Sequence, residues 1–388
     1  MEKVVHTVVQ SEISTTLEVP PILLAGDDAA RPAVPLKPKK KLIRRDDRDR
    51  SQIMRRSFQA AFLLLNVWIG GIFYLWVRQF EAGGASTSVQ RPAGVEGWLP
   101  IAGLMNFRYF VLTHHVPELH PASMFLLIAF LAISFLFRKA FCSWLCPVGT
   151  MSEYLWRAGQ KILGRKSSLH LPRWLDIGLR GLKYLLLGFF VWAVTSMGAD
   201  QLAAFMNSPY GVIADVKMLN FFRHMGTTAA IIVGVLVVAS LLIQNFWCRY
   251  LCPYGALLGI TALLSPVRIR RNPETCIDCG KCVKACPSAL PVDKVVTIKS
   301  AECTGCLECV AVCPAKNTLS LSLPRFSHPG TPGLADRAVR LPNWAIAIGI
   351  AALFLGIVGF AKTTGYWDSH VSQATYRQLV PNADQADH

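Results

Sequence analysis

Two stretches, CIDCGKCVKACP at residues 276–287 and CTGCLECVAVCP at residues 303–314, decide how part of this chain folds. Each has the spacing C-x2-C-x2-C-x3-C-P, which wraps thiolates around cubane iron–sulfur clusters, and the fourth cysteine of each run serves the other run's cluster. A zinc ribbon or a disulfide scaffold does not require three evenly spaced cysteines and a more distant fourth, and this chain has that pattern twice. The predicted ligands are Cys276, Cys279, Cys282 and Cys313 for [4Fe–4S] cluster 1, and Cys303, Cys306, Cys309 and Cys286 for [4Fe–4S] cluster 2.

The other four of the twelve cysteines lie in two shorter motifs, FCSWLCPVG at 141–149 (motif 1) and WCRYLCPYG at 247–255 (motif 2). The motifs align without a gap. Cysteines at i and i+4 share one helical face, and the following proline disfavours further helix at the second cysteine. We expect two helix ends that face each other and gather four sulfurs, those of Cys142, Cys146, Cys248 and Cys252. The candidate occupants are an additional cluster, copper or a redox-active dithiol, and the alternative is a set of buried structural cysteines.

The composition places the chain in a membrane. Its 388 residues are 52% hydrophobic and 16% charged, with a mean hydropathy of +0.37, which is too apolar for a soluble domain of this length. A helix needs about 20 residues to cross the hydrocarbon core. The stretches that qualify are residues 58–80, 122–141, 182–198, 227–247 and 344–362. Residues 97–116 are interrupted by Pro100, Asn106 and Arg108, and we interpret them as an interfacial or re-entrant segment.

The distribution of basic residues predicts the orientation. With five spans and the N-terminus inside, all but seven of the 40 Lys and Arg residues fall on the cytoplasmic side, as positive-inside topology requires. This accounts for the net charge of +16, and basic residues spread over loops without a recognition fold argue against a nucleic-acid partner. All twelve cysteines then face the reducing compartment. We predict a multi-pass, lipid-embedded protein of a bacterial-type inner membrane, with its N-terminus and clusters cytoplasmic.

The predicted fold class is an α-helical membrane protein of about five transmembrane helices. Its helices form a parallel two-helix repeat, and a cytoplasmic α+β two-cluster ferredoxin-like domain is inserted into it. The predicted boundaries are a disordered basic cytoplasmic N-terminus at 1–56, a four-helix membrane domain at 57–265, the ferredoxin-like domain at 266–325, a linker at 326–341, a final transmembrane helix at 342–362 and a short periplasmic tail at 363–388.

The four cysteine motifs, in this type and order, resemble the NapH, NosR and CcoG group of membrane-bound polyferredoxins over about residues 55–325. The chain has no room for the large periplasmic domains of NosR-like and CcoG-like members, so it is most similar to the compact NapH- or YccM-like form. The resemblance implies electron transfer between the quinone pool, cytoplasmic clusters and periplasmic reductases. For the CcoG type it implies copper handling during oxidase assembly.

We therefore expect an electron-transfer component rather than a stand-alone enzyme. It would relay single electrons between a quinone pool, or a redox partner protein, and the [4Fe–4S] clusters. The alternatives are a copper-handling or metalloenzyme assembly factor that uses the four membrane-edge cysteines, and a redox sensor. No catalytic residue is identified. The candidate proton acceptors near a quinol are His114, His115, His120 and His224 of the outer loops, although loop histidines are commonly only solvated.

Overall fold

The computed structural model describes residues 42–45, 49–83, 89–164, 171–323 and 339–385. The chain from Lys41 onward forms one unit, which is mostly helical. Its described helices are α1 Ser51–Glu81, α2 Pro100–Thr113, α3 Pro121–Phe137, α4 Ala140–Trp144, α5 Pro147–Ile162, α6 Arg173–Ser196, α7 Ala199–Met206, α8 Pro209–Val212, α9 Ala214–Arg223, α10 Thr227–Leu242, α11 Pro253–Leu263, α12 Lys281–Ala285, α13 Glu308–Ala311, α14 Trp344–Thr363 and α15 Gln373–Leu379. A 3₁₀ helix, Ala93–Trp98, precedes α2, a π-helical turn, Trp247–Leu251, precedes α11, and a 3₁₀ turn, Ala383–Gln385, follows α15.

Three of the described helices are long and apolar enough to cross a membrane, namely α1, α6 and α14. A fourth span results if α9 and α10, which bend by 82° at their break, are taken together. Helix α3 is strongly apolar but has only 17 residues, and its side chains are mostly buried among the other helices. A multi-span helical fold is therefore confirmed as three or four candidate spans, and the count of five stays a prediction. The segment interpreted as interfacial forms α2, a helix of 14 residues.

The two cysteine motifs belong to two structurally similar halves. In the first half α3 leads into motif 1 and α5, and in the second half α10 leads into motif 2 and α11. Helix α5 packs against α10, and helix α11 packs against α3. Each half therefore places its second helix on the first helix of the other half, which is the packing that a two-fold repeat produces.

The ferredoxin-like domain combines two short helices with a three-stranded antiparallel sheet. Strand β1, Arg268–Arg271, pairs with β2, Leu319–Leu323, and β2 pairs with β3, Val339–Leu341. Strand β3 lies inside the segment predicted as a linker, so the prediction is wrong for those three residues. Because β3 pairs with β2, the backbone N–H and C=O groups of these residues bind another strand, whereas those of a linker would bind water.

The predicted disorder of residues 1–56 is also wrong in part. Residues 1–41 lie outside the described residues, but Arg44 forms a β-bridge with Ala315, and α1 already begins at Ser51. The side chain of Arg55 is fully buried and pairs with Glu153 at 2.8 Å. This buried ion pair holds the start of α1 in place, and a pattern of polar and basic residues does not reveal it.

Candidate functional site

Two small cavities of about 20 Å³ each lie in the ferredoxin-like domain. The first is lined by Cys276, Cys279, Cys282 and Cys313, and the second by Cys286, Cys303, Cys306 and Cys309. The structure thus groups the eight cysteines as the spacing predicts, with the fourth cysteine of each run placed beside the other run. We call these groups site 1 and site 2. Their role as cluster ligands stays a prediction.

The backbone around both sites is shaped to wrap a compact group. The loop of site 1 has positive φ angles at Asp278 and Gly280, and the loop of site 2 has them at Gly305 and Leu307. These are equivalent positions in the two C-x2-C-x2-C runs. Left-handed residues turn the chain tightly, so the three cysteines of each run point toward one centre.

The chemistry of the thiols also fits a cluster. Burial raises the pKa of Cys306 to about 12, although Arg55 lowers it, so the free thiol stays protonated at neutral pH. The backbone N–H of Leu290 donates to Cys286 Sγ at 3.5 Å. Binding of iron releases such protons, and N–H donors aimed at the sulfurs stabilise the thiolate form.

The two sites differ in their exposure. Cys279 of site 1 is exposed, whereas Cys303, Cys306 and Cys309 of site 2 are all buried. Cys276 and Cys282 of site 1 are buried as well, so the difference is that site 1 opens to the surface at Cys279.

The four remaining cysteines lie together on one large cavity of about 1250 Å³, as their motifs predict. We call this group, Cys142, Cys146, Cys248 and Cys252, the membrane-edge site. Helix α4 of motif 1 ends at Trp144, and Cys252 is the C-terminal capping residue of the π-helical turn in motif 2. Cys146 and Cys252 also begin the next helices, because they are the N-cap residues of α5 and α11, each followed by a proline at the first helical position. Proline after cysteine was the signal, since proline favours the first turn of a helix.

Both capping sulfurs accept hydrogen bonds from the helix that they begin. The N–H of Gly149 donates to Cys146 Sγ at 3.5 Å, and the N–H of Gly255 donates to Cys252 Sγ at 3.2 Å. A helix N-terminus favours the thiolate. Burial nevertheless raises the pKa of Cys146 to about 11, and the nearby Cys252 raises it further. Four thiolates gathered here would repel each other, and a cationic iron centre would relieve that repulsion.

Within the described part of the chain, no three His, Cys, Asp or Glu side chains stand close enough to hold a single metal ion. A cubane cluster places its own iron and sulfide atoms between its ligands. Its cysteines can therefore stand further apart than the ligands of one ion.

Motif 1 contacts the loop of site 2 directly. Ser143 Oγ donates to the carbonyl of Thr304 at 2.7 Å, and Trp144 Nε1 donates to the carbonyl of Gly305 at 3.2 Å. Thr304 and Cys306 also line the large cavity beside the membrane-edge cysteines. Site 2 and the membrane-edge site therefore share a wall.

A buried ion network fixes this contact, and sequence reasoning missed it. The guanidinium of Arg55 donates to Glu153 Oε2 at 2.8 Å and to Glu308 Oε1 at 2.6 Å, which joins α1, α5 and α13. The amide of Gln52 donates to the carbonyl of Cys306 at 2.9 Å. Helix α1 thus touches the backbone of a predicted cluster ligand.

The large cavity extends from the membrane-edge site between the helices. Its apolar lining includes Phe62 of α1, Leu104 of α2, Leu127 of α3, Phe190 of α6 and Phe354 of α14. Other parts of the wall are polar, and include Arg91 and Asp368 from the connections at the other end of the spans. The cavity is large enough for an amphipathic molecule with a polar head and an apolar chain.

A second buried ion cluster lies at that other end. Arg91 binds Glu96 and Asp215, each at 2.8 Å, and His120 Nε2 lies 2.9 Å from the carbonyl of Gly211. Burial alone raises the pKa of Glu96, but Arg91 and then His120 outweigh it and hold the pKa at about 2. Of the four outer histidines, only His120 is buried in the structure, and the other three are exposed. The sequence gives no sign of this difference.

Comparison with known families agrees with the positions of the motifs. A family described as a 4Fe-4S binding domain matches residues 119–166 and again residues 225–272, which contain the two membrane-edge motifs. A family described as a 4Fe-4S dicluster domain matches residues 268–314. The repeat and the two-cluster domain are therefore both found independently of the structure.

Several curated proteins are similar to this chain. YccM of Escherichia coli, described as a candidate electron transport protein, is 50% identical over 334 residues, which are 86% of this chain and 91% of YccM. NirI of Paracoccus denitrificans is 30% identical over 59% of this chain and 33% of its own length. The ferredoxin-type protein NapH of Haemophilus influenzae is 26% identical over 49% of this chain and 62% of its own length. No solved structure matches the chain significantly.

Proposed function

The chain belongs to the YccM- and NapH-like family of membrane-associated 4Fe-4S electron-transport proteins, and we propose that it relays single electrons between its cytoplasmic face and a quinone held in the large cavity. A cubane cluster held by four thiolates exchanges one electron at a time. We assign Cys276, Cys279, Cys282 and Cys313 to cluster 1, Cys303, Cys306, Cys309 and Cys286 to cluster 2, and the membrane-edge cysteines to a third cluster.

One observation carries this proposal. Thr304 and Cys306 of site 2 line the same cavity as the four membrane-edge cysteines. Site 1, which opens to the surface at Cys279, site 2 and the membrane-edge site thus follow one another from the surface of the domain to an apolar cavity. The chain's own residues hold this order, because Ser143, Trp144 and Arg55 fix the loop of site 2 against motif 1.

The cavity suits a quinone for two physical reasons. It is lined largely by apolar side chains between the helices, which favours an isoprenoid chain, and it reaches polar groups at both ends for a ring. Oxidation of one quinol releases two electrons and two protons, and the reverse reaction takes them up. The membrane-edge site lies on the same cavity, so electrons can leave or reach the ring one at a time.

We further propose five spans, in which α3 and α10 also cross the membrane, with the N-terminus and the cysteines on the cytoplasmic side. The apolar character of α3 and the Lys and Arg count of the loops support this topology. A phosphatase reporter fused after residue 385 should be active outside the inner membrane. A fusion in the 324–338 segment should be inactive, and the reverse pattern would refute the topology.

The function is tested on anaerobically purified full-length protein. We expect about twelve iron atoms and as many acid-labile sulfides per chain, four for each of three clusters. Addition of a short-chain quinol or quinone should change the EPR spectrum of the clusters. About eight irons would show that the membrane-edge cysteines hold no cluster, and copper bound there instead would favour an assembly factor. No quinone in the extract, together with no response to added quinone, would refute the quinone assignment.

A further inference from the structure

Two buried lysines and one partly buried glutamate lie beside the membrane-edge site. Lys183 Nζ of α6 lies 2.6 Å from Glu302 Oε1, and Lys139 Nζ lies 3.7 Å from Glu302 Oε2. The side chains of the two lysines are 5% exposed or less, and that of Glu302 is 12% exposed. Lys139 and Glu302 line the same cavity as the four cysteines.

The charges of this group do not cancel. Two ammonium groups share one carboxylate, so a net positive charge remains at the site. One lysine would suffice to dock Glu302 and the loop of site 2 on the membrane helices. A second ammonium group in a buried position beside the membrane is unfavourable unless it has another partner. Docking of the site 2 loop therefore explains one lysine and leaves the other unexplained.

A second group beside motif 2 has the same imbalance. Asp176 of α6 binds Arg180 at 2.6 Å and Arg249 at 2.8 Å, and Tyr250 Oη also donates to this carboxylate. Two guanidinium groups thus share one carboxylate. The phenol of Tyr184 donates to Glu302 and adds no charge at neutral pH.

Lys139 borders motif 1 directly. It is the N-cap residue of α4, and its carbonyl accepts a hydrogen bond from the N–H of Cys142 at 3.2 Å. Lys139 also lines the cavity together with Cys142 and Cys248, one cysteine of each motif. Its ammonium group therefore lies where it can act on sulfurs from both motifs.

We propose that Lys139 and Lys183 are positioning charges that raise the reduction potential of the membrane-edge cluster above that of the other two clusters. This inference rests on the proposed function, because it requires a cluster at this site. A reduced cluster carries one more negative charge than an oxidised one, and a fixed positive charge in a poorly solvated environment stabilises it. Glu302 holds both ammonium groups and offsets part of their charge. The arrangement favours electron flow from sites 1 and 2 toward the cavity.

The test is a redox titration of the purified, fully loaded protein, followed by EPR. In Lys139→Met and in Lys183→Met, the equilibrium constant for reduction of the membrane-edge cluster should fall at least tenfold, a shift of about 59 mV for one electron. Lys139→Arg and Lys183→Arg keep the positive charge, so the reduction potential of the membrane-edge cluster should stay close to that of the unmodified protein. Cluster 1, none of whose ligands is next to Glu302 in the chain, should not shift. Lys362→Met is the matched control, because Lys362 lines the same cavity at its other end and should leave all three potentials unchanged.

A variant with the opposite expected shift in potential tests the inference even if a lysine variant binds too little iron to be titrated. Glu302→Gln removes a negative charge, so it should raise the potential of the same cluster. Shifts in the same direction for Glu302→Gln and the lysine variants would indicate structural damage and overturn the inference. Unchanged potentials in protein that retains about twelve irons would also overturn it and leave the proposed function intact. About eight irons in the unmodified protein would instead refute the third cluster itself.

Discussion

Motif 1 and motif 2 share one backbone hydrogen bond but differ in helix type and in their anchors, because motif 1 contains the α-helix α4 and motif 2 a π-helical turn. In motif 1 the N–H of Cys146 donates to the carbonyl of Phe141 at 2.9 Å, and in motif 2 the N–H of Cys252 donates to that of Trp247 at 3.0 Å. Both second cysteines then cap a helix through their sulfur. The repeat therefore provides the same placement of two sulfurs twice.

The residues between the cysteines differ. Ser143 and Trp144 of motif 1 bind backbone carbonyls of the site 2 loop, whereas Arg249 and Tyr250 of motif 2 bind the carboxylate of Asp176 on α6. Motif 1 is thus attached to the ferredoxin-like domain and motif 2 to a membrane span. The comparison teaches that two equivalent cysteine motifs can be anchored to different parts of the protein. In the proposed function, the contact between motif 1 and the site 2 loop is the one that electrons would cross.

The largest expected effect tests what the motifs share. Cys146→Ala and Cys252→Ala should each lower the iron content from about twelve to about eight per chain, because each removes one of four ligands of a common cluster. Iron and acid-labile sulfide analysis measures this loss. Val148→Ala is the control, since it changes the same segment without removing a sulfur. Loss of iron from only one of the two cysteine variants would show that the motifs do not form one site.

The second prediction tests the asymmetric anchor. Arg55→Met leaves Glu153 and Glu308 buried without their main partner, and we expect a loss of about 3 kcal/mol in the free energy of unfolding. This is the lower end of the usual range, because Arg157 also contacts both carboxylates. Thermal unfolding in detergent or nanodiscs measures it. The exposed neighbour provides the control Arg56→Met, which should change little.

The corresponding change near motif 2 should be milder. In Arg180→Met, Asp176 keeps its contacts with Arg249 and Tyr250, so we expect a loss of about 1 kcal/mol or less. Equal losses in Arg55→Met and Arg180→Met would contradict the view that motif 1 carries the main attachment of the ferredoxin-like domain.

The sequence predicts which cysteines lie together better than it predicts which charged residues form long-range contacts. Cysteine spacing anticipates how the structure groups the thiols, because the cysteines of one motif lie a few residues apart and the repetition of each motif indicates which distant motif it meets. The partners of Arg55, Lys183 and His120 lie many residues away, and no local pattern marks them. The sequence and the structure differ in the number of spans for a related reason, since α3 is strongly apolar but has only 17 residues and is largely covered by other helices.

The third prediction compares equivalent glycines of the two motifs. A Cβ on Gly149 would lie 2.3 Å from the carbonyl oxygen of Cys142, whereas a Cβ on Gly255 would lie 3.5 Å from that of Cys248. We expect Gly149→Ala to lose about 1–3 kcal/mol of stability through this clash. Gly255→Ala should be neutral or slightly stabilising, because alanine is the better helix former.

Thermal unfolding and the visible absorption of the clusters check both glycine variants. Motif 1 is the more tightly closed turn in this comparison. If Gly255→Ala were the more damaging variant, the order of packing in the two motifs would be wrong.

The smallest effect concerns the end of the repeat that lies opposite the cysteines. There, the buried ion cluster of Arg91, Glu96, Asp215 and His120 connects the two halves. His120 precedes α3 of the first half, and its ring nitrogen contacts the carbonyl of Gly211, which lies on the way to α10 of the second half. Burial alone lowers the pKa of His120, but Glu96 and then Asp215 raise it above its usual value of 6.5. Because the folded pKa is the higher one, the stabilisation is fully present below pH 6.5 and is lost as the pH rises through the folded pKa.

Unfolding measured from pH 6 to pH 9 should therefore show a falling stability, by about 1.4 kcal/mol for each unit by which the pKa is raised. His120→Gln should flatten this dependence, and the exposed His224→Gln should not. Glu96 acts in the other direction, since its pKa is lowered from 4.5 to about 2, so its contribution is present above pH 4.5 and is lost only as the pH falls toward 2. The stabilisation that Glu96 and His120 provide together is therefore largest between these two pH limits, at about pH 4.5 to 6.5. A wild-type profile that stays flat from pH 6 to pH 9 would show that the contact between the two halves at His120 and Gly211 does not depend on the charge of His120.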